Sequence, residues 1–366
     1  MTRPVTLPFY AKLSFILVSL ICFAFIFCIG KDILTPVLMA FLFAVLLLPI
    51  FTFFNTKLKL PRHLAAIICL AIFISVIVAV LVFISYQATY MANDFETIKK
   101  NANSFILEIH KFIRENFEVS IGDQKKYLDS VTKDSVKTGQ AKLGSFIISI
   151  SDVLLDSTIM IVYTFLFLIY KEHFKLFFAK LIKQENHAVL QDILSQIKVS
   201  INNYIVSLII EMIVVSILTG LGLWIIDVKY FILLGLITGI LNLIPYIGIF
   251  IAGVITVLAS LTGSGEISVI LGILIVNIIV QFIDNNLLVP LIINTKVEIN
   301  AFVSIMGIIV GGAAAGIAGM FLAIPLLAIL KIIFDRIDSL SAWGYLMGNH
   351  VPRKFVWRKR KITTEN

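Results

Sequence analysis

The fold and the candidate site are concentrated in residues 267–331, which begin ISVILGILIVNIIVQFIDNNLLVP (267–290) and continue VGGAAAGIAGMFLAIP (310–325). The first part is an apolar helix that carries one carboxylate and four carboxamides: Asn277, Gln281, Asp284, Asn285 and Asn286. Such groups are costly inside hydrocarbon, so a membrane protein that keeps them is expected to use them. The glycines of the second part predict an interrupted helix rather than a straight one.

The composition predicts an all-α polytopic membrane protein with about eight apolar segments. Of the 366 residues, 59% are hydrophobic and only 14% are charged, which is more apolar surface than a soluble core of this length can hide. Runs such as 67–84 are apolar throughout and lack the alternation of a barrel strand.

The charged residues and the cysteines exclude several other classes. A net charge of +8 fits orientation in an anionic bilayer, and no globular basic domain is present to bind nucleic acid. The three cysteines lie in apolar runs without metal-ligand spacing, so no metal and no cofactor is predicted. Phosphate-loop, His-Glu-x-x-His and Gly-x-Ser-x-Gly motifs are absent, which argues against ATP hydrolysis and against an intramembrane enzyme.

Residues 1–86 are predicted to form three membrane spans. The first two, 13–30 and 33–54, would make a helical hairpin around Gly30-Lys31-Asp32, and the third covers 64–86. The loop between the second and third spans carries Lys57, Lys59, Arg62 and His63. The positive-inside rule therefore places this loop and the amino terminus in the cytoplasm.

Residues 87–142 are predicted to be an extracytoplasmic insert, because their composition is that of a soluble segment. Its apolar residues recur at helical spacing and give one stripe, which predicts an amphipathic helix rather than a receptor domain with its own core. The stripe consists of Phe95, Ile98, Phe105, Ile109, Phe112 and Ile113.

Residues 143–204 are predicted to contain a fourth span, 144–170, and a cytoplasmic interfacial helix. Four lysines after the span support a cytoplasmic position: Lys171, Lys175, Lys180 and Lys183. Asp152 and Asp156 share a helical face and suit either a cation site or a solvated outer surface. The interfacial helix is predicted from a stripe of Val189, Ile193, Ile197, Ile201 and Tyr204.

Residues 205–334 are predicted to be the transport core, built from two similar units. Each unit is an apolar helix followed by a broken segment, 231–261 in the first and 301–334 in the second. As one helix each broken segment would be roughly 50 Å long, which exceeds the ~30 Å of hydrocarbon. Inverted re-entrant hairpins are one solution, and a kinked span plus a surface helix is the other. The breaks are marked by Asn242, Pro245, Gly248, Gly311, Gly312, Gly316, Gly319 and Pro325.

Glu211 and Asp284 are the candidate site carboxylates. Counted along their helices, both lie roughly 9 Å from the cytoplasmic edge, so they could line one cavity. Asn242, Gln281 and Asn285 are further candidates for the substrate or ion pathway. Neither has an evident Lys or Arg partner, which leaves a proton, a monovalent cation or a small polar solute as the ligand. The alternatives are that Asp284-Asn285-Asn286 ends the helix before Pro290 and that Glu211 extends to the surface.

Three motifs in this order resemble those of the AI-2E family of bacterial membrane proteins. They are LNLIPYIG (241–248), DNNLLVP (284–290) and the glycine cluster from Gly311 to Pro325. Ile249 departs from the pattern, because the family often has proline there.

The resemblance implies a multi-spanning inner-membrane transporter with an elevator-like motion, assembled as a homo-oligomer, and suggests a pentamer. It also implies export of autoinducer-2, with sodium or lithium exchange for protons as the alternative. A membrane scaffold without transport would leave Asp284 and the glycine breaks unexplained. The basic segment 335–366 is predicted to be a cytoplasmic tail, so that both termini lie inside.

Overall fold

The computed structural model describes residues 8–94, 97, 98, 100–102, 104, 157–244, 247–263, 266–292 and 298–349. All regular structure in these residues is helical, which confirms the all-α polytopic fold class. Five helical segments among them are long and apolar enough to cross a bilayer: Phe25–Lys57, Arg62–Met91, Gln184–Ile225, Ile267–Leu288 and Ala301–Arg336. Phe95, Asp152, Asp156, Pro245, the stripe beyond residue 104 and the basic tail beyond residue 349 lie outside the described residues.

Helix α1 runs without interruption from Phe9 to Thr52. The predicted hairpin of spans 13–30 and 33–54 is therefore wrong. Lys31 and Asp32 are compatible with a helix, and one glycine costs only about 1 kcal/mol relative to alanine, which is too little to end an otherwise apolar helix. At 44 residues the helix is about 66 Å long. The argument that placed the amino terminus in the cytoplasm depended on that hairpin, so it no longer follows.

Helices α2 (Arg62–Asn93) and α3 (157–181) pack against the second half of α1. A π-helical turn, Phe53–Lys57, connects α1 to the loop before α2. Their shared core includes Leu47 and Phe51 of α1, Ala65 and Ala66 of α2, and Leu168 of α3. The residues of α2 near the basic loop and those near the end of α3 therefore lie at the same end of the molecule.

Helix α4 extends from His187 to Ile225. The prediction of a separate interfacial helix that ends at residue 204 is wrong, because the chain has no glycine or proline between residues 187 and 219 that would interrupt it. Ile201 and Tyr204 are buried against Leu42 and Val45 of α1 rather than lying on a membrane surface. Helix α4 is thus a central element about 58 Å long.

The first broken segment is a helical hairpin, called hairpin 1, made of α5 (Phe231–Asn242) and α6 (Ile247–Ser260). Leu234 near the start of α5 and Ala259 near the end of α6 belong to one buried cluster, so the two arms are antiparallel. With 12 and 14 residues, the arms are about 18 and 21 Å long and shorter than a bilayer crossing. Gly248 permits the tight return, since a Cβ there would clash with the Leu241 carbonyl.

The second broken segment reverses direction in the same way and is called hairpin 2. The helical stretch Ala301–Arg336 is interrupted at Ala315 and Gly316, where Gly316 has φ 59° and ψ −142°. We name the two arms α8 (301–314) and α9 (317–336), after helix α7 (Ile267–Ile283). Gly311 and Gly319 lie backbone to backbone, and a Cβ on Gly312 would lie 2.8 Å from the Met320 methyl. The structure therefore shows a hairpin and not a kinked span, so Ala301–Arg336 is not one straight crossing.

The open ends of the two hairpins face opposite ends of the molecule. At the end of hairpin 1, Lys229 and Tyr230 contact Asp94 just after α2, and Asn101 donates a hydrogen bond to the Leu261 carbonyl. Hairpin 2 opens at the other end of α4, where Arg336 pairs with Asp192 and a short helix α10 (Ser341–Met347) packs on α9. The two hairpins are therefore inverted relative to each other, as predicted, whichever way the protein sits in its membrane.

Candidate functional site

Three buried polar side chains from three different elements meet where α5 ends, opposite the open end of hairpin 1. Asn242 ends α5, Glu211 lies in the middle of α4, and Asp284 directly follows α7. The Asn242 amide donates to Glu211 Oε1 at 2.9 Å and to Asp284 Oδ2 at 3.4 Å. The exposed fractions are 8% for Glu211, 7% for Asn242 and 3% for Asp284. We call these three residues the acidic cluster.

Asp284 lies at the start of a π-helical turn, which is wider than an α-helical turn. Residues Asp284–Leu288 form a π-helical turn, and a last α-helical turn, Val289–Ile292, follows it. Pro290 has no N–H to donate to the preceding turn, while the Asn286 side chain donates to the Phe282 carbonyl at 2.8 Å. Single π turns of this kind are frequent at functional sites. The regular α-helix therefore ends at Ile283, with Asp284 at its C-cap, and the chain continues as a π turn and one last α-helical turn.

Glu211 is also held inside the protein. Its carboxylate faces Asn242 and is buried in the middle of α4, far from either helix end. The alternative in which Glu211 extends to the surface is therefore wrong. A buried glutamate on a central helix needs a hydrogen-bond donor, and Asn242 provides it.

The acidic cluster has an excess of acceptors over donors. The Asn242 amide has two hydrogens, and both are used on the two carboxylates. Asp284 Oδ1 is buried without a partner, and none of the four ion pairs in the described part of the chain includes Glu211 or Asp284. Two buried negative charges without a cation are strongly unfavourable. A proton, a cation or a hydrogen-bond donor from a ligand would complete this site.

The other predicted site residues surround the cluster without joining it. Gln281 is half-buried one turn before Asp284, and Asn285 is exposed. In the part of the chain that the structure describes, neither is hydrogen-bonded to Glu211, Asn242 or Asp284. Described residues also offer no group of three His, Cys, Asp or Glu side chains that could hold a metal ion.

Hairpin 2 closes the other side of this region. Leu322 of α9 packs in one cluster with Leu208 of α4, and the partly buried Leu243 next to Asn242 contacts the same cluster. Pro325 is buried further along α9. The structural breaks at Gly311, Gly312, Gly316 and Gly319 thus shape the arm that lies beside the acidic cluster.

Two polar residues were missed as site candidates in the sequence. Ser207 and Tyr204 are buried one and two turns before Glu211 on the same face of α4. Their positions four and seven residues before Glu211 are a helical signal. The stripe that predicts a membrane-surface helix includes Tyr204, whereas the structure buries Tyr204 on the face of α4 that carries Glu211.

These features define a multi-pass α-helical membrane protein with two inverted hairpins and a buried acidic cluster between them, an arrangement typical of secondary transporters. The sequence model of the AI-2E family of transporters matches residues 13–339. The chain belongs to the AI-2E transporter family.

Individual relatives differ in sequence identity and in the share of the chain that the similarity covers. The chain is 24% identical over 323 residues to the AI-2 transport protein TqsA of Escherichia coli (strain K12), covering 84% of this chain and 87% of TqsA. It is 34% identical over 134 residues to YrrI of Bacillus subtilis (strain 168), named as a candidate transport protein. That similarity covers 37% of each chain, and the similarity to YueF of the same organism covers 32% of YueF. The chain thus matches about a third of the length of these two relatives.

Proposed function

We propose that this protein is a secondary transporter that exports a small polar solute of the autoinducer-2 type across the bacterial cytoplasmic membrane. The observation that carries the proposal is the acidic cluster, in which Asp284 Oδ1 is buried with no partner. A polar solute would supply the missing donors, since carboxylate oxygens accept hydrogen bonds. The similarity to TqsA over most of the chain supports the choice of solute.

Movement of hairpin 1 would open and close such a site. Asn242 belongs to hairpin 1, whereas Glu211 and Asp284 belong to the long helix α4 and to the chain after α7. Sliding of hairpin 1 along α4 therefore separates the amide from both carboxylates. This is how an elevator-like motion would act on the acidic cluster. The homo-oligomer, a pentamer by family resemblance, is also a proposal.

A second candidate function is the exchange of sodium or lithium for protons. The observation that favours it is the pair of buried carboxylates without a basic partner in the described residues. Such a pair is stabilised by either a proton or a small cation. The two candidates share the acidic cluster and differ in the species that is transported.

Reconstituted vesicles test both functions with Asp284→Asn and Glu211→Gln. Each variant keeps the side-chain size and removes a titrating group, so we expect solute flux to fall at least about tenfold and its dependence on pH to flatten. The vesicles are challenged separately with a pH step, sodium and autoinducer-2. Solute flux that follows the pH step supports the exporter, and sodium flux alone supports the exchanger.

Matched controls carry the same chemical changes at exposed positions. Asp338→Asn and Glu266→Gln lie outside the acidic cluster, and both side chains are exposed. We expect them to transport like the unmodified protein. Unchanged flux and unchanged pH dependence in Asp284→Asn would remove the acidic cluster from the transport cycle.

A further inference from the structure

A large groove lies between α1, α3 and α4, away from the acidic cluster. It has a volume of about 780 Å³ and mostly apolar walls, to which Phe41 and Leu48 of α1, Phe167 and Phe174 of α3, and Leu194 of α4 contribute. The groove lies beside the chain reversal between α3 and α4, at the end of the molecule where hairpin 2 opens. Its apolar length suits a hydrocarbon chain rather than a small polar solute.

One side of the groove is positively charged. Lys171 and Lys175 of α3 and Lys198 of α4 line it, and no Asp or Glu is among the described residues that do so. Lys175 is paired with Glu172 at 3.1 Å, but this pair is exposed. Glu172 attracts the Lys171 ammonium, whereas Lys175, Lys198 and the nearby Arg62 repel it. An anion placed among these groups would relieve that repulsion.

Phe51 and His187 lie next to the groove lysines, and neither competes with them for an anion. The Lys171 ammonium lies 4.9 Å from the centre of the Phe51 ring, which is a cation–π contact, and Lys171 also lines the groove. His187 Nε2 lies 3.0 Å from the Ala179 carbonyl and 3.2 Å from the Ile182 carbonyl. Because both partners are acceptors, this nitrogen donates to the end of α3 and does not compete for an anion.

We propose that the groove binds an anionic phospholipid of the bilayer, with its phosphate among Lys171, Lys175 and Lys198 and an acyl chain along the aromatic wall. A free phosphate would leave the apolar wall uncovered, and an uncharged lipid would leave the lysine charges without a partner. Basic pockets between membrane helices bind anionic headgroups in this way. The bound lipid would join α1, α3 and α4 at the end of the molecule where hairpin 2 opens.

The test uses the full chain purified in detergent and native mass spectrometry to count bound lipids. The probes are phosphatidylglycerol, phosphatidylcholine with the same acyl chains, and glycerol 3-phosphate as a competitor. We expect tighter binding of phosphatidylglycerol than of phosphatidylcholine, without displacement by glycerol 3-phosphate. Lys198→Gln should weaken phosphatidylglycerol binding about fivefold, and Lys171→Gln with Lys198→Gln about 30-fold.

Lys180→Gln is the matched control, because Lys180 lies on α3 but does not line the groove. It should bind phosphatidylglycerol like the unmodified protein. Equal binding of both lipids, or equal losses in Lys180→Gln and Lys198→Gln, would overturn the proposal. Displacement by glycerol 3-phosphate would instead assign the lysines to a soluble phosphate. A groove covered by a second copy would bind neither lipid and would crosslink between subunits from Lys198.

Discussion

Asn242 connects two helices that are far apart in the sequence, since its amide donates to Glu211 of α4 and to Asp284 after α7. The sequence predicts one cavity for Glu211 and Asp284 from their similar depth, and it identifies Asn242 as a pathway candidate because it is a polar residue in an apolar run. The bridging role of Asn242 was not predictable, because it depends on how hairpin 1 packs against α4. That packing requires Gly235 and Gly239, where a side chain would collide with the Ser216 region of α4.

At the same scale, Asp94 gives a pH-dependent contact outside the membrane spans. Hydrogen bonds from Lys229 and then from Tyr230 hold the pKa of the Asp94 carboxyl below its usual value. A lowered folded-state pKa contributes stability above the unfolded-state pKa of about 3.9, and that stability is lost as the pH falls through the folded-state pKa. Asp94→Asn should therefore have a lower melting temperature than the unmodified protein at pH 7, and the difference should shrink as the pH falls below about 3.9.

Thermal unfolding of the purified protein between pH 7 and pH 3 measures this effect. Asp32→Asn is the control, because Asp32 is exposed on α1 and has no ion pair among the described residues. A constant difference between Asp94→Asn and the unmodified protein at every pH would mean that the charge of Asp94 does not stabilise the fold.

At the scale of elements, the broken segments were predictable and the first helix was not. Glycine and proline placed the breaks in hairpins 1 and 2, because these residues change what the backbone can do locally. The turn predicted at Gly30-Lys31-Asp32 is absent, because one glycine and two polar residues do not end an otherwise apolar helix. The apolar stripe at 189–204 likewise belongs to α4, because that helix continues through residue 204 without interruption.

The reversal of hairpin 2 gives a prediction about Gly316 and Gly319. Gly316 has no atoms within 4 Å of an added Cβ, so Gly316→Ala acts only through its backbone conformation, which costs about 1–3 kcal/mol for other residues. Gly319→Ala would push a methyl group into the Gly311 carbonyl. Both variants should lower the melting temperature and the flux, and Gly312→Leu and Gly316→Leu should abolish transport while insertion continues.

Gly307→Ala is the control within hairpin 2, because the atoms nearest its added methyl belong to the Leu327 side chain, with the terminal Cδ1 at 2.5 Å, and not to the backbone. It should melt and transport nearly as the unmodified protein does. If Gly316→Ala and Gly319→Ala behave like this control, the close return of α9 on α8 is unimportant for function.

At the scale of the whole molecule, the structure groups the loops by the end at which they lie. Asp94 and Asn101, the turn between α4 and α5, and Leu261 share one end, whereas Asp192 and Arg336 share the other. We expect the end with Asp192 to be cytoplasmic, because the basic loops belong to it. The sequence charge pattern predicts the same grouping, although it counted one crossing too many before α2.

Cysteine labelling in intact cells tests this orientation. The background requires replacement of Cys22 and Cys28, which are exposed, and of Cys69. A cysteine at Lys125 should react from outside with a reagent that does not cross membranes. One at Lys183 should react only after lysis. If both cysteines react from the same side, the two ends of the molecule do not lie on opposite sides of the membrane.

The separation of Glu211, Asn242 and Asp284 along the chain also affects biosynthesis. Asn242 is synthesised 31 residues after Glu211, and Asp284 a further 42 residues later. At about 5–20 residues per second, roughly 4–15 s pass on the ribosome between the two carboxylates. The acidic cluster is therefore complete only after Asp284 has been synthesised, and a chain truncated before Asn242 leaves the Glu211 carboxylate in the bilayer without its amide donor.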